Sequence, residues 1–401
     1  MTSVDRHLKI RLSIMMFLQF FIAGAFTPVL SLYLKESLGF SGFQTGMILS
    51  VTAIGSIIAP LVTSLVADRL VRAEHLLGVL QLSGGVLIGA FALQKSFLPV
   101  MVLYLCYTLV NVPTFALTNA IVFHHSPDTR HKFGSIRVWG TIGWIAVAWL
   151  FSYLWLRSGG SGLPDALKLA ALSSFLLGLY AFSLPVSRPL HKNTGGFLPA
   201  GSLRVLKEPA IMRLCIFILA VSFFYRFYFF GTAPFLRAIG FPDSDIMPAM
   251  SLGQIPEVFA MGILGWLLLR FGSKKIILFG LALDVFRYAT ASLGGPSWLV
   301  ITGLAVHGLS YTFIFTTASI YLDRFCDSRS RTGAHQLFSM ITSGIGSFAG
   351  NLFCGITMDL CAVNHAPVNY HAFWLVPTAA LFILLFVILL SFKNTPAAAE
   401  K

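Results

Sequence analysis

Ser251-Leu252-Gly253-Gln254-Ile255-Pro256-Glu257 lies inside an apolar run from about Ile246 to Leu269. Such a run is long enough for a helix to cross roughly 30 Å of hydrocarbon, and it holds a carboxylate near its middle. An ionised acid at the bilayer centre costs roughly 2.5–3.5 kcal/mol on insertion scales, so position alone makes Glu257 a functional candidate. Gln254 lies one helical turn from it. Runs of this kind recur from end to end of the 401 residues, of which 56% are hydrophobic and 11% charged. Mean hydropathy is +0.81, and soluble domains carry about 25% charged residues. The chain therefore reads as an all-α membrane protein. Its apolar residues do not alternate at every second position, which argues against a β-barrel.

Twelve spans are expected, at roughly 10–35, 44–67, 76–95, 97–123, 134–156, 165–186, 209–238, 244–269, 274–294, 297–322, 333–359 and 370–392. The first lacks a small-residue cleavage site and reads as a retained helix, not a signal peptide. The longest polar interruption, 187–208, contains Pro189, Asn193, Thr194, Gly195, Gly196 and Pro199. It divides the chain into a six-helix half at 1–187, a cytoplasmic linker at 188–208 and a second six-helix half at 209–401. With both termini in the cytoplasm, the loops put 20 basic residues inside and 5 outside, and the positive-inside rule selects that orientation. The net charge of +13 is thus a topology signal and does not point to nucleic acid. Five scattered cysteines (Cys106, Cys215, Cys326, Cys354, Cys361) read as small packing residues.

Polar residues inside spans are the functional candidates. Arg137, Thr141 and Trp144 fall on one face of span five, where cation, hydroxyl and indole can hold a polar, ring-shaped solute; an arginine snorkelling to the interface is the bland alternative. Arg226 lies in Phe223-Phe-Tyr225-Arg226-Phe-Tyr228-Phe-Phe230, where it either lines a cavity with Tyr225 and Tyr228 or is caged by rings. Asp284 and Arg287, one turn apart on span nine, read as a structural ion pair. Asn111, Thr114 and Thr118 recur at helical spacing around Pro113, with Asn119 beside them. They either line a cavity or join helices, as does Gln19 in span one. His124 and His125 read as interface residues, and no metal or organic cofactor is indicated. Glu257 and Asp284 are the acids deep in spans, and no basic residue stands three or four positions from Glu257. A fixed salt bridge to Arg137 or to a cation of another helix is its structural alternative.

Two loops carry an internal repeat. Ser64-Leu-Val-Ala-Asp68-Arg69-Leu70-Val71-Arg72 ends span two, and Gly265-Trp-Leu-Leu-Leu269-Arg270-Phe271-Gly272-Ser273-Lys274 ends span eight. Both resemble the cytoplasmic gating loop of the major facilitator superfamily, with Asp68, Arg69 and Arg72 in its charged positions; the second copy lacks the acid. Further segments carry a narrower resemblance. They are Phe17-Leu-Gln19-Phe20, Pro113-Thr114 with Asn119, Ile136-Arg137-Val-Trp139-Gly-Thr141-Ile-Gly143, Ser251-x-x-Gln254-Ile-x-Glu257, Phe286-Arg287-Tyr288 and Ala334-His335-Gln336-x-Phe338. Over most of its length the chain is similar to the nucleoside:proton symporter family of that superfamily. The resemblance implies that Arg137 and Thr141 face a nucleoside, that Gln254 hydrogen-bonds it, and that Glu257 binds substrate or couples the proton. Trp144 and Tyr311 stand where the family usually has phenylalanine, Thr312 where it typically has an aspartate, and Tyr225 and Tyr228 where amides are expected.

The expected function is import of a nucleoside with protons by alternating access, in a bacterial inner membrane, as a monomer whose partners are substrate, protons and lipid. The departures at Thr312 and around Arg226 keep a sugar or amino-sugar:proton symporter as the alternative. An enzyme is not expected: there is no soluble domain, no paired metal ligands and no nucleophile beside a base.

Overall fold

The computed structural model of the protein describes residues 3–62, 72–125, 130–160, 162–186, 200–327, 330–362 and 367–391. Asp68 and Arg69 of the first gating loop, and residues 188–199 of the central loop, lie outside them. Every regular element among the described residues is helical. Nine helical stretches among these residues are long and apolar enough to cross a membrane. One of them, Asp243–Leu293, is 51 residues long, well beyond the roughly 20 that a single crossing needs. It breaks at Gly272, where φ is 76°, a left-handed value that glycine adopts at little steric cost. The break falls in the basic turn Arg270–Lys275 that the sequence places between spans eight and nine. The expected loop is a kink.

The chain forms two compact units, residues 1–197 with 240–248, and residues 198–239 with 249–401. In the first, the helix Ser3–Phe26 packs along Arg130–Leu150, Gly42–Val62 along Phe97–His125, and Ala73–Ala92 along Pro164–Ala181. The first of these pairings is close because Gly143 has no side chain. A Cβ there would land on the Phe17 carbonyl and lie 3.2 Å from the Phe17 Cα. Backbone cannot rotate away as a side chain can, so Gly143→Val is expected to cost about 1–3 kcal/mol. A lowered unfolding midpoint in detergent would show it, and an unchanged midpoint would remove this contact from the account. Residues 240–248 belong to this unit, with Asp245 accepting from Arg157 at 2.7 Å.

In the second unit the kinked stretch 254–293 packs against Tyr370–Ser391 and His307–Tyr311, and Ser347–Leu360 packs against Pro209–Ala238. The aromatic run of the 209–238 helix is the reason that helix lies deep. Phe227, Tyr228 and Phe230 are at most 2% exposed, and Phe373 of the last helix lies against Phe227 and Phe230. Residues 200–207 form a short helix ahead of it.

Candidate functional site

The span that carries Glu257 is broken at the candidate residues. The helix Asp243–Ser251 stops, Leu252 and Gly253 form a turn, and a new helix starts at Gln254. Pro256 is the third residue of that helix, where its missing N–H would have had no helical partner. Oriented to satisfy its neighbours, the Gln254 amide nitrogen donates to the Ser251 carbonyl at 2.6 Å and to the Met250 carbonyl at 3.3 Å. Those carbonyls are the orphans of the helix just ended. Its amide oxygen remains as an acceptor at a half-helix start. Glu257 follows one turn later, half-buried. Ser297–Ala305 is interrupted opposite this point, at Val306, before His307–Tyr311. Gly253 packs against the Leu304 carbonyl and His307, and a Cβ on Gly308 would fall 2.6 Å from the Glu257 Cβ. The two interruptions thus meet, with the stem of Glu257 pressed on Gly308.

A buried polar chain runs beside them. Asp284 and Arg287, 1% and 3% exposed, pair at 2.9 Å, as their spacing predicts. The Arg287 guanidinium also bonds Nδ1 of His307, and Nε2 of His307 lies 3.1 Å from the Tyr225 hydroxyl. The Arg287 guanidinium carbon sits 4.4 Å from the ring centre of Tyr288, 5.0 Å from that of Tyr228 and 5.7 Å from that of Tyr225, so three phenols surround one cation. Tyr228 stacks on His307 at 3.8 Å and donates its hydroxyl to the Met250 carbonyl; both its ring and its polar tip are engaged. Arg226 is half-buried with its guanidinium carbon 5.6 Å from the Tyr225 ring centre, and its Nε has no hydrogen-bond partner. Tyr311, 37% exposed, lies 6.1 Å from the Tyr225 ring. Thr312 opens a π-helical turn, is fully buried, and its hydroxyl has no hydrogen-bond partner.

In the first unit the Arg137 guanidinium covers the Phe20 ring at 4.0 Å, and Arg137, Thr141 and Trp144 are all half-buried. Gln19 is fully buried. Its amide donates to the Thr114 hydroxyl at 2.8 Å and accepts from Gln81 at 2.9 Å, so three helices are joined through it. Asn111 is buried at 8% exposure and Asn119 half-buried on the same helix. Arg72 is exposed at the start of Ala73–Ala92.

The second unit therefore gathers Tyr225, Arg226 and Tyr311, with Glu257 in electrostatic range of Tyr225. Tyr228, Thr312 and Gln19 are turned to packing or to internal hydrogen bonds. His307 was not singled out from the sequence. A lone histidine in the apolar stretch 299–314 gives one local signal, the adjacent Gly308, and its importance comes from three helices meeting.

Comparison with known proteins gives a consistent result. A family model described as nucleoside H+ symporter matches residues 6–397. A protein of Escherichia coli (strain K12), provisionally named the nucleoside transporter YegT, is 34% identical over 90% of this chain and 86% of its own length. The xanthosine permease of the same organism is 26% identical over 96% of both chains. A crystal structure of the nucleoside transporter NupG matches with a TM-score of 0.86 at 22% identity, covering 96% of this chain and 100% of that one. At that identity the likeness speaks for the fold, which is the expected all-helical major facilitator type.

Proposed function

The chain belongs to the nucleoside H+ symporter family, and from that premise we propose how it works: it carries nucleosides into the cell with protons by alternating access, as a twelve-span monomer in the lipid of a bacterial inner membrane. Its two working halves are residues 1–187 and 209–401. It is a transporter and not an enzyme. Glu257 is the proton-coupling group. Gln254, Tyr225, Arg226 and Tyr311 are the proposed substrate contacts of the second unit, and Arg137, Thr141 and Trp144 those of the first.

The observation that carries this reading is the interrupted span. A break in mid-membrane is tolerated where the backbone is buried or lines a cavity, and transporters use half-helix ends to hold substrate and ions. Here the break puts an amide acceptor and a carboxylate one turn apart, against a second helix interrupted at the same place. Replacing Gln254 by alanine is expected to raise KM for a nucleoside about tenfold, the worth of roughly one good hydrogen bond, with a smaller change in maximal rate. An unchanged KM removes Gln254 from the site. Competition tests the substrate class. Unlabelled adenosine or uridine should suppress uptake of labelled uridine in cells, and sugars should not; suppression by sugars alone would favour the sugar reading.

A further inference from the structure

We infer that the second unit presents only hydrogen-bond donors to the substrate along Pro209–Ala238, so that the transporter prefers nucleosides of oxo bases to those of amino bases. His307 is the positioning residue that enforces this. The inference rests on the nucleoside reading above and deepens it.

The hydrogen-bond chain starts at Arg287. A guanidinium has five N–H donors and no acceptor, so the His307 Nδ1 it bonds must accept. In the neutral ring the proton then sits on Nε2. Nε2 faces the Tyr225 hydroxyl at 3.1 Å, so the ring donates and the phenol oxygen accepts. A phenol has two favoured in-plane directions at oxygen, one for its own hydrogen and one for an incoming donor. The imidazole fills the second. Tyr225 must therefore point its hydrogen away from His307, and its hydroxyl has no other hydrogen-bond partner among the described residues. Asp284 fixes the start of the chain by holding Arg287 at 2.9 Å.

Arg226, the next residue, can only donate as well. Its Nε has no hydrogen-bond partner, and its guanidinium lies over the Tyr225 ring and in electrostatic range of Tyr311. Tyr228 adds no acceptor, being 2% exposed with its hydroxyl donated to Met250. An amide at these positions would offer one donor and one acceptor and could flip between them. Tyr225 held by His307, together with Arg226, cannot. Gln254 and Glu257, which can accept, lie on a different helix.

A uracil or hypoxanthine edge meets such donors with carbonyl oxygens. The amino group of cytosine or adenine would put N–H against N–H or O–H, with both donors left unpaired in a desolvated place. Sites built this way discriminate through the groups left unpaired by the wrong ligand.

The experiment compares two matched pairs, uridine with cytidine and inosine with adenosine, as initial uptake rates into proteoliposomes under one proton gradient. Wild-type protein is expected to favour the oxo member of each pair by about tenfold or more in kcat/KM. In His307→Gln the amide oxygen can accept from Arg287 and the nitrogen can donate to Tyr225, so the preference should survive. In His307→Leu the Tyr225 hydroxyl is free to turn and accept, and the ratio should fall to within about threefold of unity. Tyr225→Phe should lower uridine uptake more than cytidine uptake, bringing their ratio toward unity. Wild-type protein that carries both members of each pair equally overturns the inference while leaving nucleoside transport standing. A ratio unaltered in a folded His307→Leu variant overturns the role of His307. Protein that moves none of the four nucleosides overturns the inference together with the reading it rests on.

Discussion

Replacing Glu257 by glutamine is expected to abolish proton-driven accumulation while leaving passive exchange of substrate. Glutamine keeps the size of the side chain and its acceptor oxygen, so a bound nucleoside loses little. It cannot gain and release a proton. If one proton accompanies each nucleoside, a difference of one pH unit is worth about 1.36 kcal/mol and supports about tenfold accumulation. In the variant, internal substrate should rise only to the external concentration, whereas exchange of internal for external labelled substrate should stay within a few-fold of wild type. The structure favours this residue because the span breaks just before it and Gly308 crowds its stem. Accumulation in Glu257→Gln equal to wild type would move the coupling role elsewhere.

The second large effect is on stability. Arg287→Leu is expected to destabilise the protein by about 3–5 kcal/mol, because breaking a buried ion pair leaves its partner as an uncompensated charge. Asp284, 1% exposed, would be that partner. The same change also removes the cation around which Tyr225, Tyr228 and Tyr288 are arranged. Replacing both members, as Asp284→Asn with Arg287→Gln, should recover most of the loss, since no isolated charge remains. Thermal or denaturant unfolding in detergent reads the two variants against wild type. A single variant as stable as wild type would mean that water or another group satisfies Asp284.

The sequence made some of this legible and could not make the rest so. Helical membrane architecture follows from the lengths of the apolar runs, which a lipid environment imposes on any spanning helix. The Asp284–Arg287 pair follows from spacing on one helix, and it forms as expected. The broken span was half-visible: Gly253 and Pro256 are helix breakers, yet both are tolerated in spanning helices, and only the turn at Leu252 and Gly253 shows which outcome holds here. Gln19 is a different matter. Whether a polar residue lines a cavity or joins helices depends on what lies opposite, and Gln81 is 62 positions away in the chain. Tyr228 is similar, since its hydroxyl is taken by the Met250 carbonyl, on the far side of the turn that follows the helix. His307 carried almost no signal at all, because its role depends on Arg287 and Tyr225 arriving from two other helices.

The central claim is that a proton gradient drives nucleoside accumulation through this protein. Purified protein in liposomes, with labelled uridine or adenosine outside and an inward proton gradient imposed, tests it directly. The account predicts accumulation above the external concentration that collapses when a protonophore is added. Accumulation of sugars with neither uridine nor adenosine taken up, or nucleoside uptake indifferent to the gradient, would contradict it.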